Sequence, residues 1–350
     1  MQNDNILFSE FKLNQLFTLR NRIVMAPMTR VNATAEFVPT QLMVDYYSRR
    51  ADAGLIITEG TIISPDARGH DFVPGIFSNE QIVKWREVTD AVHARGGLIF
   101  CQLWHVGRVS HPNFLGGKLP VSASETVMTG RISRSELMFG KCRALTVEEI
   151  SELVKQYAQA AKNAIAAGFD GVEIHGANGY LIDQFLHYHT NLRHDDYGGS
   201  VENMARFPLA VVRACGEAVG FERVALRLSP GAYLNEITGD MRDGKVFQYL
   251  LAELQQLPIA YLHTGNFDHT KIFPELDNLS MTHFMRMYHN GTLVAAGSYD
   301  IAAAEYGIKT NHFDLSAFGR PFIANPDLVS KIRNNEPLVK YDVSMLKTLY

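Results

Sequence analysis

The sequence predicts a closed parallel (β/α)8 barrel that forms a single domain over residues 1–350. Short apolar runs, each bounded by Gly, Pro or polar residues and too short for a helix, recur eight times along the chain. Segments with helical spacing separate them, and the runs are apolar on both faces, as in a parallel sheet that helices cover. No GxGxxG sequence follows the first run, which disfavours the open doubly wound sheet that is the alternative.

The predicted strands are Arg22–Met28, Leu55–Gly60, Leu98–His105, Gly171–Gly176, Val224–Pro230, Ala260–Gly265, Leu293–Ser298 and Leu315–Arg320. Helical periodicity is clearest in Gln81–Arg95, Val147–Ala167 and Val246–Leu254. Thr146 followed by Glu149 is a capping-box start for the second of these helices, and Gly168 is suited to end it.

One insertion, residues 109–144, interrupts the alternation of strands and helices. Its glycines and prolines, with no long periodic segment between them, argue against a regular helix. It follows the third strand at its carboxyl end, which is the face where such barrels build their sites. We therefore expect this insertion to form a cap over that face, and a surface loop without a function is the alternative.

Charge and cysteine content exclude several classes of protein. The 33 Lys and Arg residues nearly balance 37 Asp and Glu residues, and neither sign forms a long run, so nucleic acid is not an expected partner. The 3 cysteines are scattered, which favours a reducing cytoplasm over a disulfide framework. The N-terminus has no basic and apolar leader, and the longest apolar runs have the length of strands, so we expect neither export nor a membrane span.

Polar residues at the strand ends are the first candidates for chemistry. Gln102 and Arg227 lie inside apolar strands, where an unpaired amide or guanidinium would be costly. Their partner is either a carboxylate or carbonyl of the protein, or a ring system with donors and acceptors in the barrel mouth. Gly297 and Gly319, with Arg320 beside the latter, suggest a phosphate cradle, although glycines at strand ends also serve as turn residues.

His175, Asn178 and Tyr180 follow the fourth strand closely enough to act together. The first two could donate hydrogen bonds to one developing oxyanion while the tyrosine donates a proton. A metal site is the rival interpretation, and His187 and His189 resemble an HxH pair. The first strand contributes no ligand and no acidic residue ends the eighth, so we predict no metal.

Five ordered motifs stand out along the chain: Asn21–Arg30, Cys101–Arg108, Gly168–Leu186, Asn191–Asn203 and Ala317–Asp327. Through these motifs the chain resembles, from about Leu7 to Arg333, the old yellow enzyme family of FMN-dependent ene-reductases. The resemblance implies FMN over the barrel mouth, held by residues at Ala26, Pro27, Met28, Thr29, Gly60, Gln102, Arg227, Gly297, Gly319 and Arg320. It also implies NADPH or NADH as the hydride donor.

The resemblance further assigns roles to the candidate residues. Thr29 would bond the flavin C4 carbonyl, and Arg227 would favour the anionic reduced ring. His175 and Asn178 would bind the substrate's carbonyl or nitro oxygen, and Tyr180 would protonate the α-carbon of an electron-poor C=C after hydride reaches the β-carbon.

Trp104 and His70 are expected in the substrate pocket, with His70 standing where many relatives carry Tyr. We expect a monomer or homodimer. A metal-dependent hydrolase and a flavin carrier without catalysis are the remaining alternatives.

Overall fold

The computed structural model describes residues 5–350, and its central feature is a closed barrel of parallel strands. Each strand pairs in parallel with the next along the chain, and the eighth pairs with the first. The barrel strands are Ile23–Met25, Leu55–Ile57, Ile99–Trp104, Gly171–Gly176, Val224–Leu228, Tyr261–Thr264, Leu293–Ala295 and Leu315–Phe318. The predicted (β/α)8 barrel is confirmed. Residues 1–4, which the domain prediction included, lie outside the described residues.

Helices on the outside cover the barrel. They are Gln41–Ser48, Asn79–His93, Val147–Ala166, Leu181–Leu186, Val201–Val219, Asp243–Leu254, Met281–Tyr288, Ile301–Lys309, Arg320–Ala324 and Leu328–Arg333. The predicted capping box is present: the Thr146 hydroxyl accepts from the Glu149 amide, and the Glu149 carboxylate accepts from the Thr146 amide. Gly168 follows this helix with φ +88°, where glycine is favoured. No helix of residues 5–350 is long and apolar enough to cross a membrane.

Several strands are shorter than the apolar runs that predict them. The first ends at Met25 and the second at Ile57, so 26–28 and 58–60 leave the strand ladder. A short strand, Thr61–Ile62, then pairs with the end of the third barrel strand. The departures occur because these residues turn toward the barrel mouth, where Ala26, Pro27, Met28 and Gly60 line a cavity.

An N-terminal hairpin, Phe11–Lys12 paired with Thr18–Leu19, closes the opposite end of the barrel. Its Leu13, Phe17 and Leu19 are buried in one cluster with inward-facing strand residues. Phe17 meets the ring of Phe100 edge-on at 5.9 Å. Apolar side chains therefore fill this end of the barrel, and a large cavity opens at the carboxyl ends of the strands.

The insertion at 109–144 folds as a short ribbon. Val121–Ser122 pairs with Arg143–Ala144, and two bridges, Val127 with Lys141 and Arg131 with Met138, extend the ribbon toward its tip. At the tip, Arg134 donates to the Thr29 carbonyl at 3.1 Å. The tip therefore reaches the mouth of the barrel, as the predicted cap requires.

Candidate active site

A cavity of about 800 Å³ lies at the carboxyl ends of the barrel strands. Fourteen of the fifteen predicted site residues line it: Ala26, Pro27, Met28, Thr29, Gly60, Gln102, Trp104, His175, Asn178, Tyr180, Arg227, Gly297, Gly319 and Arg320. They come together because carboxyl ends of parallel strands meet at one rim. The volume is that of a site for a cofactor or small ligand.

The cavity floor is a buried polar cluster centred on Glu173. Its carboxylate accepts from Gln102 Nε2 at 2.9 Å and lies 2.8 Å from His263 Nδ1. Burial raises the pKa of Glu173, but His263, Arg227 and Gln102 together lower it below its usual value, so the carboxylate is ionised. Since Gln102 Nε2 is taken by Glu173, the amide oxygen of Gln102 is left for a donor in the mouth.

Arg227 differs from Gln102 in having no such partner. Its side chain is buried, 7% exposed, and its guanidinium makes no hydrogen bond to the described residues. A buried cation without an acceptor is costly. The residue therefore fits an acceptor-rich ring in the cavity, which is the second of the two partners considered from the sequence.

The part of the cavity lined by Gly297, Gly319 and Arg320 fits an anion. Gly297 has φ +149°, and a Cβ there would lie 2.8 Å from the His269 backbone nitrogen. His269 donates its amide to the Gly297 carbonyl at 2.9 Å and places Nδ1 at the same distance from that oxygen. Gly319 follows the eighth strand, and Arg320 beside it is exposed and forms no ion pair in residues 5–350. Backbone amides at glycines and a free guanidinium suit a phosphate group.

Three rings form one wall of the cavity. His175 and Tyr180 pack edge-on with centroids 5.0 Å apart, and Trp104 packs edge-on against Tyr180 at 5.1 Å. Burial and the Arg227 charge lower the pKa of His175 well below 6.5, so its imidazole is neutral at neutral pH and donates only one N–H. Burial raises the pKa of Tyr180, so its phenol stays protonated.

Asn178 lies in a tight turn between the histidine and the tyrosine. Its φ of +62° is in the left-handed region, which Asn tolerates better than most residues. The next amide, that of Gly179, donates to the Asp183 carboxylate at 2.7 Å. Asp183 in turn lies 3.3 Å from His187, which is also 2.9 Å from Asp243. His187 is therefore part of a buried ion-pair cluster that holds this turn, and it is not paired with His189 as a metal ligand.

The structure also shows lining residues that the sequence did not suggest, and it leaves one predicted residue out. Arg134 lines the cavity from the tip of the insertion. Residues 338–341 and Leu346 line it from the C-terminal region. His70 is not part of the wall. Burial and Arg134 lower the pKa of His70 to about 4.

Comparison with known proteins agrees with this geometry. The model of the NADH:flavin oxidoreductase / NADH oxidase family matches residues 6–338. An old yellow enzyme homologue from Zymomonas mobilis superposes with a TM-score of 0.91 at 39% identity, covering 97% of this chain and 96% of that one. The chain belongs to the old yellow enzyme family.

Other relatives support the same assignment for this old yellow enzyme-type protein. A flavin oxidoreductase of Emericella nidulans is 43% identical, over 97% of this chain and 93% of its own length. The 12-oxophytodienoate reductase 7 of Oryza sativa subsp. japonica is 41% identical, over 98% and 91%. Morphinone reductase in complex with tetrahydroNAD has a TM-score of 0.89 at 42% identity, with 97% and 93% of the two chains covered. The protein is a flavin-dependent oxidoreductase with a nicotinamide donor.

Proposed function

We propose that this protein is an FMN-dependent ene-reductase that reduces the C=C bond of α,β-unsaturated carbonyl or nitro compounds with NADPH or NADH. The observation that carries the proposal is the wall where a neutral His175, the Asn178 amide and a protonated Tyr180 face one cavity. A flavin carrier would need no proton donor at this place. The names of the relatives, two of them reductases, agree with the proposal.

The residues of the cavity fit FMN. Arg227 and the Gln102 oxygen offer a donor and an acceptor to the ring, while Thr29, four residues beyond the last residue of the first strand, lines the cavity and would bond the ring's edge. Gly297, Gly319 and Arg320 form the phosphate end. When bound, FMN would supply the chemistry of hydride transfer between the nicotinamide and the β-carbon of the substrate.

The protein's own residues bind the substrate oxygen and move the proton. His175 and Asn178 donate hydrogen bonds to that oxygen, where negative charge develops as the β-carbon receives hydride. Tyr180 then gives its phenolic proton to the α-carbon. Its raised pKa keeps that proton in place across the neutral range.

The experiment that tests the proposal follows the visible spectrum of the purified protein. Flavin bands should bleach on anaerobic addition of NADPH or NADH and return when cyclohexenone is added. Tyr180→Phe should slow the return by about 10²-fold or more, the usual contribution of a positioned acid, and leave the bleaching rate nearly unchanged. Equal slowing of both steps would contradict the role of Tyr180, and a protein that neither binds FMN nor oxidises a nicotinamide would refute the function.

A further inference from the structure

The Asn178 side chain is held by a loop outside the motifs that mark the site. The Tyr233 hydroxyl donates to Asn178 Oδ1 at 2.5 Å. The Ser229 hydroxyl accepts from the backbone N–H of Asn178 at 3.0 Å, and Asn235 Nδ2 donates to the backbone carbonyl of Asn178 at 2.7 Å. Three residues of one loop, 229–235, therefore fix both the backbone and the carboxamide of this residue.

Tyr233 is the main donor to the Asn178 oxygen. Ser229 has a single proton, and its contact with the Gly265 carbonyl, at 2.7 Å, is much shorter than its contact with Asn178 Oδ1, at 3.3 Å. The proton of Ser229 is thus directed to Gly265. Burial raises the pKa of Tyr233, so its hydroxyl keeps its own proton for Oδ1.

This contact determines which end of the Asn178 amide faces the cavity. When Asn178 Oδ1 accepts from Tyr233, the Nδ2 protons of Asn178 make no hydrogen bond to the described residues. Since Asn178 lines the cavity, these protons are left for a ligand there. If the amide were turned over, its NH2 group would donate to the tyrosine oxygen, and the tyrosine proton would have to leave the carboxamide for another acceptor. The orientation with Oδ1 on Tyr233 keeps this short hydrogen bond and is therefore the favoured one.

We propose that Tyr233 is a positioning residue that holds the Asn178 carboxamide with its NH2 group toward the cavity, as a donor to the substrate's oxygen. The inference rests on the proposed function, because it assigns the donated bond to the reducible substrate. Tyr233 acts through Asn178 and does not line the cavity itself.

The test compares Tyr233→Phe with the wild-type holoenzyme. The substitution keeps the ring, which packs edge-on against Phe267 at 5.3 Å, and removes only the hydroxyl. The dissociation constant of 4-chlorophenol and the KM for cyclohexenone should both rise about tenfold, as expected when a hydrogen bond to a charged oxygen is lost. The rate of flavin reduction at saturating nicotinamide should change less than threefold. Unchanged phenol binding would overturn the inference.

A double-mutant cycle separates positioning from a general structural effect. Because Tyr233 works through Asn178, phenol binding by Tyr233→Phe/Asn178→Ala should be no weaker than by Asn178→Ala alone. If the losses of phenol affinity caused by the two single substitutions add up in the double variant, the proposal is overturned.

Tyr157→Phe is the matched control. It removes the hydroxyl of another buried tyrosine, one without a hydrogen-bond partner in the part of the chain described and away from the cavity wall. It should bind phenol as the wild type does, and a tenfold loss here would show that the effect at Tyr233 is not specific. If the wild type itself fails to bleach and recover with cyclohexenone, the proposed function fails. If the wild type passes and Tyr233→Phe behaves like it, only this inference fails.

Discussion

Replacing His187 with glutamine tests the buried ion-pair cluster that holds the active-site turn. His187, Asp183 and Asp243 are all fully or almost fully buried, with side-chain exposures of 0%, 2% and 0%. Burial alone would lower the pKa of His187, but the two aspartates outweigh this effect and raise the pKa to about 10. The imidazolium is therefore the charged form in the folded protein at neutral pH.

The magnitude follows from that pKa. A rise from 6.5 to about 10 corresponds to about 5 kcal/mol at 1.36 kcal/mol per unit. Burial raises the pKa of Asp183, which offsets part of this gain. We expect His187→Gln to lower the free energy of unfolding by about 3–5 kcal/mol, the usual cost of removing one partner from a buried pair. For 350 residues, at about 2.1 cal/mol/K per residue, Tm should fall by about 4–7 °C.

The dependence on pH gives the sharper test. A histidine whose pKa is raised by folding stabilises the protein fully below its unfolded pKa of about 6.5, and this contribution is lost as pH rises through about 10. The difference in unfolding free energy between wild type and His187→Gln, from urea titrations, should thus shrink steadily from pH 6.5 to 10.

A second buried histidine provides the control. Burial lowers the pKa of His289 to about 4, so it is neutral in the folded protein at neutral pH. The difference between wild type and His289→Gln should stay constant from about pH 7.5 to 10, where this histidine is neutral in both the folded and the unfolded chain. A His187→Gln difference that is equally constant would refute the ion-pair argument and leave only packing to explain the loss.

Two further outcomes follow from local geometry. Thr146→Ala removes the hydroxyl that accepts from the Glu149 amide at 3.2 Å and should cost about 1 kcal/mol of stability in urea unfolding; an unchanged midpoint would mean that the cap contributes nothing. His175→Ala should weaken 4-chlorophenol binding about tenfold or more. Because the pKa of His175 is well below 6.5, the ratio of the two dissociation constants should not vary between pH 6 and 8, and a ratio that titrates there would contradict a neutral donor.

The sequence could predict most of the site because the barrel converts linear position into proximity. A residue at the carboxyl end of any parallel strand reaches the same rim, so Thr29, Gln102, His175 and Arg227 meet without further information. The same reasoning located Gly297 and Gly319. Only the existence and order of the strands had to be known, and apolar runs bounded by polar residues supply both.

The features that the sequence could not predict depend on the paths of loops and on contacts between residues that are far apart in the sequence. Residues 338–341 reach the cavity from beyond the last strand, and Arg134 reaches it from the tip of the insertion. His187 was considered as a metal ligand because of its spacing from His189. Its partners are Asp183, four residues away, and Asp243, which is 56 residues away and is brought to it by the packing of helix Asp243–Leu254 beside helix Leu181–Leu186.

The two carboxamides of this site, Gln102 and Asn178, are oriented by groups beneath the wall. Glu173 takes one end of the Gln102 amide, and Tyr233 takes one end of the Asn178 amide. A carboxamide presents a donor and an acceptor of nearly the same shape, so its direction is set only by what bonds its other end. In both cases that partner is buried or half-buried and keeps its protonation state at neutral pH, the first as an anion and the second as a phenol. The polarity of the cavity wall is therefore fixed before a ligand arrives, and the binding free energy need not be spent on turning these amides.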